Sequence, residues 1–181
     1  MIMNEGIVLG HHVSATGNKF DPAKIEVIMK LPPPTNQKGV LRFLGHAGYC
    51  RRFVENFTKV ASPLFKLLTK EVEVHWDDES QAAFDTLKEK NSSAPVLRGP
   101  YWKLHFHIST DASDSAIGAV LGQKEDPITH SIYYVSKTLT RVELNYIVTE
   151  KEFLDVIYDI NKFRHYITSY EVFVHAYHSV I

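Results

Sequence analysis

The sequence predicts an α+β protein with a helical first half and a second half built on a β-sheet. Between residues 21 and 92, apolar residues recur at helical spacing, and residues that favour a helix start, such as Asp21 and Pro22, precede them. From Leu104 the apolar period changes to two, which is typical of a half-buried strand. A helical pattern over about residues 149–166, followed by a last strand, completes a sheet with a helix packed across it.

Composition excludes several classes of protein. A length of 181 residues allows one large domain or two small ones, and 44% apolar with 23% charged residues is typical of a packed globular chain. The longest nearly apolar stretch, residues 116–121, is too short to cross a bilayer, and the N-terminus has no signal-peptide pattern. The single Cys50 fits a reducing, cytoplasmic or nuclear setting.

The net charge of −1 hides an asymmetry between the two halves. Residues 1–70 hold 10 Lys/Arg and 4 Asp/Glu, a net +6, whereas residues 71–181 hold 10 and 17, a net −7. A basic half can follow a phosphate backbone. The acidic half either concentrates cations or is a solvated surface.

The first half is predicted to contain one strand and several helices, with an extended linker at the three consecutive prolines 32–34, which disfavour helix. Ser62 is the expected cap of a helix that opens at Ser62-Pro63, and Asp77 or Asp78 the expected cap of another that ends near Asn91. The remaining elements are a strand over residues 6–13 with a turn over 14–17, and helices over about 22–30, 36–46 and 48–56.

The second half is predicted to contain four strands, beginning at Leu104, Ala116, Ile132 and Glu171. The first strand ends at an acid, Asp111. The helix over about 149–166 is expected to bury a stripe of apolar side chains against the sheet, namely Phe153, Val156, Ile157, Ile160 and Phe163.

Seven short strings then occur in an order and spacing that resemble one family, the polyproteins of long-terminal-repeat retrotransposons of the gypsy class. They are LRFLG at 41–45, GYCRRF at 48–53, ASPL at 61–64, APVL at 94–97, TDAS at 110–113, GAVL at 118–121 and EKE at 150–152. The resemblance covers nearly the whole chain. It implies the end of a reverse transcriptase palm over residues 1–30, a helical thumb over 31–70, a connection over 71–99 and an RNase H-like mixed sheet over 100–181.

The resemblance also implies which chemistry to look for. The Tyr-x-Asp-Asp string of the family's polymerase centre is absent from this sequence, so we expect the chain to lack the polymerase site, with the upstream palm and fingers as a missing partner. In the family's RNase H site, carboxylates hold two Mg²⁺ or Mn²⁺ ions, hard cations that prefer oxygen ligands, and the ions activate water against the RNA of an RNA–DNA hybrid.

By resemblance, the first metal-binding acid falls on Asp111 and the second on Glu152. Asp111 could instead be a solvated turn residue, and Glu152 could satisfy the backbone in a Thr149-x-x-Glu152 capping box. On a helix, Glu152 falls at the edge of the apolar stripe and could point toward the sheet. We favour the metal-ligand role for both acids.

Four further positions matter for this site. Asp155 and Asp159 are expected to be solvated at the edge of the stripe. The family's third acid falls on Tyr177, whose neutral phenol does not replace a carboxylate on Mg²⁺, and the fourth would lie beyond Ile181. The RNase H site is therefore expected to be incomplete. A histidine such as His175 or His178 would suit softer ions, but the sequence has no HExxH motif and we predict no zinc site.

The basic residues of the first half are candidates for nucleic-acid binding, because the family's thumb grips a duplex. Tyr49 and Phe53 are expected to be core residues, while Gly45 and Gly48 allow either a close approach to a strand or a hinge. The candidate duplex-binding residues are Arg42, Arg51, Arg52, Lys59 and Lys66.

Two kinds of function remain open from the sequence. One is an enzyme that cleaves RNA in a hybrid through Asp111 and Glu152, with RNA-directed DNA synthesis as the other family activity. The other is a chain without the enzyme activity, which is either a binding module that holds an RNA–DNA hybrid or duplex without cleaving it, or a decayed element with no retained role. Tyr177 favours the second kind.

Overall fold

The computed structural model describes residues 5–8, 11–14, 17–69 and 74–176. The chain divides into two units, Met1–Val96 and Leu97–Ile181. The α+β class predicted from the sequence is confirmed, with the helices concentrated in the first unit and a four-stranded sheet in the second.

The first unit begins with a three-stranded antiparallel sheet rather than with the single strand predicted over residues 6–13. Its strands are β1 (Glu5–Val8), β2 (His11–Ser14) and β3 (Gly17–Phe20), in the order β1-β2-β3. Gly6 pairs with Val13, so the two ends of the predicted strand satisfy each other's backbone groups. Alternating residues mark extended chain but do not show where it folds back on itself.

The first two helices follow the sequence prediction. Helix α1 (Pro22–Lys30) begins after Asp21, whose carboxylate accepts a hydrogen bond from the Ala23 amide at 3.0 Å. Residues 31–34 have no regular secondary structure, as their prolines predict. Helix α2 (Gln37–Tyr49) is capped by Asn36, which accepts from the Gly39 amide at 2.8 Å.

Two boundaries after α2 differ from the prediction. No helix spans residues 48–56: α2 continues to Tyr49, and a 3₁₀ turn (Arg51–Phe53) follows. Helix α3 (Phe57–Lys66) begins well before Ser62, so Ser62 is not its cap. The residue before α3 is Asn56, whose φ of 55° lies in the left-handed region that asparagine tolerates. Pro63 therefore lies inside the helix instead of opening it.

Helix α4 (Asp78–Ser92) completes the first unit and is capped by Asp77, as predicted, with the Ser80 amide 2.8 Å from the carboxylate. Its apolar side packs into the core, where the rings of Phe84 and Phe43 lie 4.4 Å apart. The Lys88 ammonium donates to the Met29 carbonyl at 2.9 Å and so covers the end of α1.

The second unit contains a mixed sheet in the order β6-β5-β4-β7. Strand β4 pairs antiparallel with β5 and parallel with β7, and β5 pairs antiparallel with β6. All four predicted strands are present, with β5 and β6 longer than predicted. The strands are β4 (Phe106–Ala112), β5 (Ala116–Glu125), β6 (Ile128–Thr138) and β7 (Val172–Ala176).

Helix α5 (Val148–Ile167) lies across this sheet, but the side that it buries is not the predicted apolar stripe. Phe163 is buried in the core with Phe106 and Ile108, as predicted. Phe153, Ile157 and Ile160 are exposed. The buried positions are instead Lys151, Asp155, Asp159 and Phe163, which repeat every four residues along one side of the helix.

Candidate metal centre and nucleic-acid surface

Asp111 lies near the end of β4 and is exposed. It is in register with Gly118 on β5. The turn that follows is fixed by Ser113, whose hydroxyl donates to the Ala116 carbonyl at 2.7 Å and whose amide bonds the same oxygen at 2.8 Å. The local sequence Thr110-Asp111-Ala112-Ser113 therefore places an acid at the end of β4, beside a tightly closed turn.

The first turn of α5 is held against that β4–β5 turn. The buried Lys151 extends to it, and its ammonium donates to the Asp114 carbonyl at 3.2 Å. Glu152, the next residue, is half-buried. At about 100° per residue it lies on the same half of the helix as Asp155 and Asp159, the half that faces the sheet.

The capping box at the start of α5 is formed by Glu150 and not by Glu152, for which the sequence had suggested this structural role. Glu150, not Glu152, accepts a hydrogen bond from the backbone amide at the start of α5, with its carboxylate 3.0 Å from the Ile147 nitrogen. The cap residue of α5 is therefore Ile147, two residues before the Thr149 that the Thr149-x-x-Glu152 pattern suggested. Glu152 is not needed to cap this helix.

Asp155 and Asp159 correct the prediction that both acids are solvated. Both are fully buried on the sheet-facing side of α5. Within the described chain, none of their four carboxyl oxygens has a hydrogen bond of ordinary geometry. Burial raises the pKa of Asp155 to about 7, with a further contribution from the negative charge of Asp111. Burial and the neighbouring Asp155 raise the pKa of Asp159 to about 9.

Sequence reasoning missed this acid pair because it weighted apolar side chains alone. The available signal was spacing. Asp155, Asp159 and Phe163 follow one another at intervals of four residues, about one helical turn, and Phe163 is the one fully buried residue of the predicted apolar stripe. Because burial raises the pKa of Asp155 to about 7, this carboxyl adds less negative charge beside Asp111 at neutral pH than a solvated acid would.

The described residues fit a two-metal centre only in part. Asp111 and Glu152 are oxygen donors of the kind that Mg²⁺ and Mn²⁺ prefer. However, no group of three or more acid, histidine or cysteine side chains in the described ranges is arranged to hold a metal ion. The predicted departure at Tyr177, like His178, lies outside the described residues. We therefore derive no catalytic step through a bound metal.

The candidate nucleic-acid residues all lie on the helical elements of the first unit. Arg42 on α2, Arg51 in the 3₁₀ turn and Lys59 on α3 are exposed, whereas Arg52 is half-buried with its guanidinium 5.4 Å from the Phe53 ring. Lys66 is exposed and 4.0 Å from the Glu79 carboxylate, an ion pair that solvent weakens. Lys59 and Lys66 are seven residues apart, so they share one side of α3.

Three neighbouring residues differ from their predicted roles. Phe53 is a core residue, as expected, but Tyr49 is 43% exposed, and the Lys24 ammonium lies 3.6 Å from its ring centre. Gly45 and Gly48 lie within α2, so they form neither a turn nor a hinge. A Cβ at Gly45 would meet no atom of the described chain within 4 Å, so the chain itself does not require glycine there.

Comparison with known families identifies the class of protein. A family model described as the RNase H-like domain found in reverse transcriptase matches residues 76–174, which is more than half of the chain. The chain belongs to this RNase H-like domain family.

Its relatives are retrotransposon Pol polyproteins, in agreement with the resemblance in the sequence. The chain is 37% identical over 170 residues to the Pol polyprotein from transposon opus of Drosophila melanogaster, covering 88% of this chain and 17% of that protein. It is 35% identical over 178 residues to that of transposon 297 from the same organism, covering 98% and 16%. The Tf2-3 polyprotein of Schizosaccharomyces pombe is 35% identical over 164 residues, covering 89% and 12%. The chain thus spans less than a fifth of the length of these relatives.

Solved structures show the same fold. A foamy viral protease–reverse transcriptase in complex with double-stranded DNA matches with a TM-score of 0.82 at 19% identity, covering 97% of this chain and 31% of that one. The same enzyme in complex with an RNA/DNA hybrid matches with a TM-score of 0.81, covering 97% and 24%. The predicted RNase H-like mixed sheet is thereby confirmed. None of the helices in the described part of the chain is long and apolar enough to span a membrane.

Proposed function

We propose that this chain is a nucleic-acid-holding section of a retrotransposon reverse transcriptase/RNase H polyprotein, with at most very weak ribonuclease H activity of its own. Its ligand is an RNA–DNA hybrid or duplex, gripped through the basic residues of the first unit. The same proposal keeps residues 1–30 as the end of a palm, 31–70 as a thumb, 71–99 as a connection and 100–181 as the RNase H-like domain, acting with an upstream palm in the cytoplasm or nucleus.

The observation that carries the binding function is the exposed positive charge within residues 1–70 of the first unit. Residues 1–70 have a net charge of +6, and Arg42, Arg51, Lys59 and Lys66 present their side chains to solvent. Phosphate contacts of this kind give affinity without sequence preference. The structural neighbours, in complex with double-stranded DNA and with an RNA/DNA hybrid, support the same ligand class.

Weak cleavage follows from the composition of the candidate metal centre. Asp111 and Glu152 carry two negative charges, whereas two Mg²⁺ ions carry four positive charges, and the nearest further acid, Asp155, is buried with a raised pKa. A metal displaced by about 1 Å can cost on the order of a hundredfold in rate. Metal-dependent cleavage of the RNA strand through Asp111 and Glu152 remains the alternative function.

Binding is tested by titrating a fluorescently labelled RNA–DNA hybrid with the full chain at several salt concentrations. If all five basic residues contact phosphates, log K falls with log salt with a slope of about −4 to −5. Arg51→Ala with Arg52→Ala should weaken binding and make the slope shallower by about 2. Lys103→Ala with Lys162→Ala removes the same charge from exposed positions of the second unit and serves as the matched control. Salt-independent binding, or equal losses in the two double variants, would refute the proposed surface.

Cleavage is tested with the same hybrid, labelled on the RNA strand, in Mg²⁺ and in Mn²⁺. We expect no measurable product from the unmodified chain and partial activity after Tyr177→Asp, because the third carboxylate is then restored. Robust cleavage by the unmodified chain that disappears in Asp111→Asn would instead establish the enzyme function. The binding titration decides separately whether the hybrid is held at all.

A further inference from the structure

Two histidines meet on the face of the sheet that lies away from its hydrophobic core. His107 on β4 alternates with the buried Phe106 and Ile108, so its side chain is directed to the opposite face. His175 on the parallel neighbour β7 is in register with Ser109, two residues further along β4 and on that same face. The His107 Nδ1 and His175 Nε2 atoms are 2.9 Å apart.

The two rings meet edge to edge rather than face to face. Their centres are 5.2 Å apart and their planes differ by 12°. The distance between the ring centres equals the nitrogen–nitrogen distance plus twice the distance from an imidazole centre to its own nitrogen. Both nitrogens therefore lie close to the line that joins the two ring centres. One ring therefore donates its N–H to the in-plane lone pair of the other, and the two facing nitrogens point at each other.

The surroundings of His107 favour its neutral, ligating form. Burial lowers the pKa of the His107 imidazole, and the neighbouring His175, Lys124 and His105, when charged, lower it further. A neutral imidazole is the form that coordinates a metal ion. The nearby His105 and Glu171 are paired with each other, with the Nδ1 atom 3.2 Å from the carboxylate.

We propose that His107 and His175 form a two-histidine binding site for a divalent transition-metal ion, with water completing the coordination. Zn²⁺, Ni²⁺ and Cu²⁺ suit imidazole ligands, whereas Mg²⁺ does not. The ion accepts the lone pairs of His107 Nδ1 and His175 Nε2. The ring that donated the hydrogen bond moves its proton to its other nitrogen by exchange with water, so both imidazoles stay neutral and no charge is left over.

To admit the ion, the two rings must separate slightly and turn. Tetrahedral zinc with Zn–N bonds of about 2.0–2.1 Å separates two ligand nitrogens by about 3.3 Å, roughly 0.4 Å more than in the hydrogen-bonded pair, and its angle of about 109° between ligands requires each ring to tilt by roughly 35° from the present straight arrangement. The bound ion links β7 to β4 across the sheet. This site is separate from the candidate acids Asp111 and Glu152, and it offers nitrogen ligands where they offer oxygen.

The test is a calorimetric titration of the full chain with Cu²⁺, Ni²⁺, Zn²⁺ and Mg²⁺ in a non-chelating buffer at neutral pH. We expect Cu²⁺ to bind more tightly than Ni²⁺ or Zn²⁺, and Mg²⁺ to give no signal at this site. His107→Gln and His175→Gln should each weaken the tightest class of binding by about tenfold or more, which corresponds to about 1.4 kcal/mol. The control His130→Gln, on β6 beside Glu125, should bind as the wild type does. Unchanged binding in both site variants would overturn the proposal.

A second measurement uses only the unmodified chain. Substoichiometric Cu²⁺ should broaden the imidazole NMR signals of His107 and His175 before those of the other histidines, and Zn²⁺ should raise the thermal midpoint. Broadening that begins at His105 or His130 would overturn the site even if a variant failed to fold. Asp111→Asn should leave this binding unchanged, so failure of the proposed nuclease centre and failure of this site are distinguished.

Discussion

Two parts of helix α5 bury opposite kinds of side chain on the same side of the helix. Near its C-terminus, Phe163 packs among Phe106 and Ile108, with its ring 6.1 Å from that of Tyr133. In the middle of the helix, Asp155 and Asp159 are equally buried. Burial of the ring stabilises the fold, whereas burial of the two carboxyls costs stability when they ionise. The acid pair is the part whose charge lies close enough to that of Asp111 to affect it, and Asp111 belongs to the candidate metal centre.

The largest expected effect comes from removing the apolar anchor. Phe163→Ala should lower the free energy of unfolding by about 3–5 kcal/mol, because it removes a fully buried ring and leaves a cavity. Denaturant unfolding of the full chain measures it. Phe153→Ala, on the opposite side of α5 and 66% exposed, is the matched control and should change stability by less than about 0.5 kcal/mol. Similar losses in the two variants would mean that α5 does not pack as described.

A smaller effect concerns the acid pair and pH. In the folded chain the pKa of Asp155 is raised from 3.8 to about 7 and that of Asp159 to about 9. Raised carboxyl pKa values give a stabilising contribution that is complete below the unfolded pKa and is lost as pH rises through the folded values. The free energy of unfolding should therefore fall between about pH 4 and pH 9, by on the order of 1–3 kcal/mol.

The matched variant for this effect is Asp155→Asn with Asp159→Asn, which keeps the shape of both side chains and removes their ionisation. It should flatten the fall in stability with pH and be more stable than the wild type above about pH 8. Asp114→Asn, at an exposed position of the β4–β5 turn, should leave the pH dependence unchanged. Chemical unfolding at a series of pH values in the presence of a chelator decides, and parallel curves for the wild type and the double variant would contradict the buried pair.

The smallest expected effect lies at the first residue before α5. Ile147 occupies the cap position and is 66% exposed, while Glu150 already accepts from its amide. Ile147→Ser would complete a capping box and should stabilise the chain by about 0.5–1 kcal/mol. Val142→Ser, at a similarly exposed position outside the helix, should have no such effect. A thermal melt that shows equal shifts for both would rule out the capping explanation.

The sequence predicted the elements of the second unit well because period-two alternation and long helical periodicity are strong local signals. Strands β4 and β7 and helix α5 lie within a few residues of their expected positions. The elements of the first unit were harder to predict. The turn back from β1 to β2 depends on tertiary pairing, and the start of α3 depends on the left-handed φ of Asn56, the residue before it.

The buried side of α5 could not be predicted from hydrophobicity. Phe153, Ile157 and Ile160 form a coherent apolar stripe, yet the helix presents the opposite side to the sheet. Which side a helix buries depends on where the chain enters and leaves it, and here Lys151 is held against the Asp114 carbonyl. The His107–His175 pair was equally inaccessible, because it requires the parallel register of β4 and β7.

The position of β7 has a consequence for handling the protein. In the order β6-β5-β4-β7 it is an edge strand of the described sheet, and Val172–Ala176 contains no proline and no lysine, arginine or carboxylate. Phe173 and Val174 are each more than 40% exposed. An uncharged, apolar edge can recruit the same strand from another molecule, so concentrated samples should aggregate by edge-to-edge pairing. Val174→Lys, at an edge position that is 42% exposed, is the change that should keep such samples in solution.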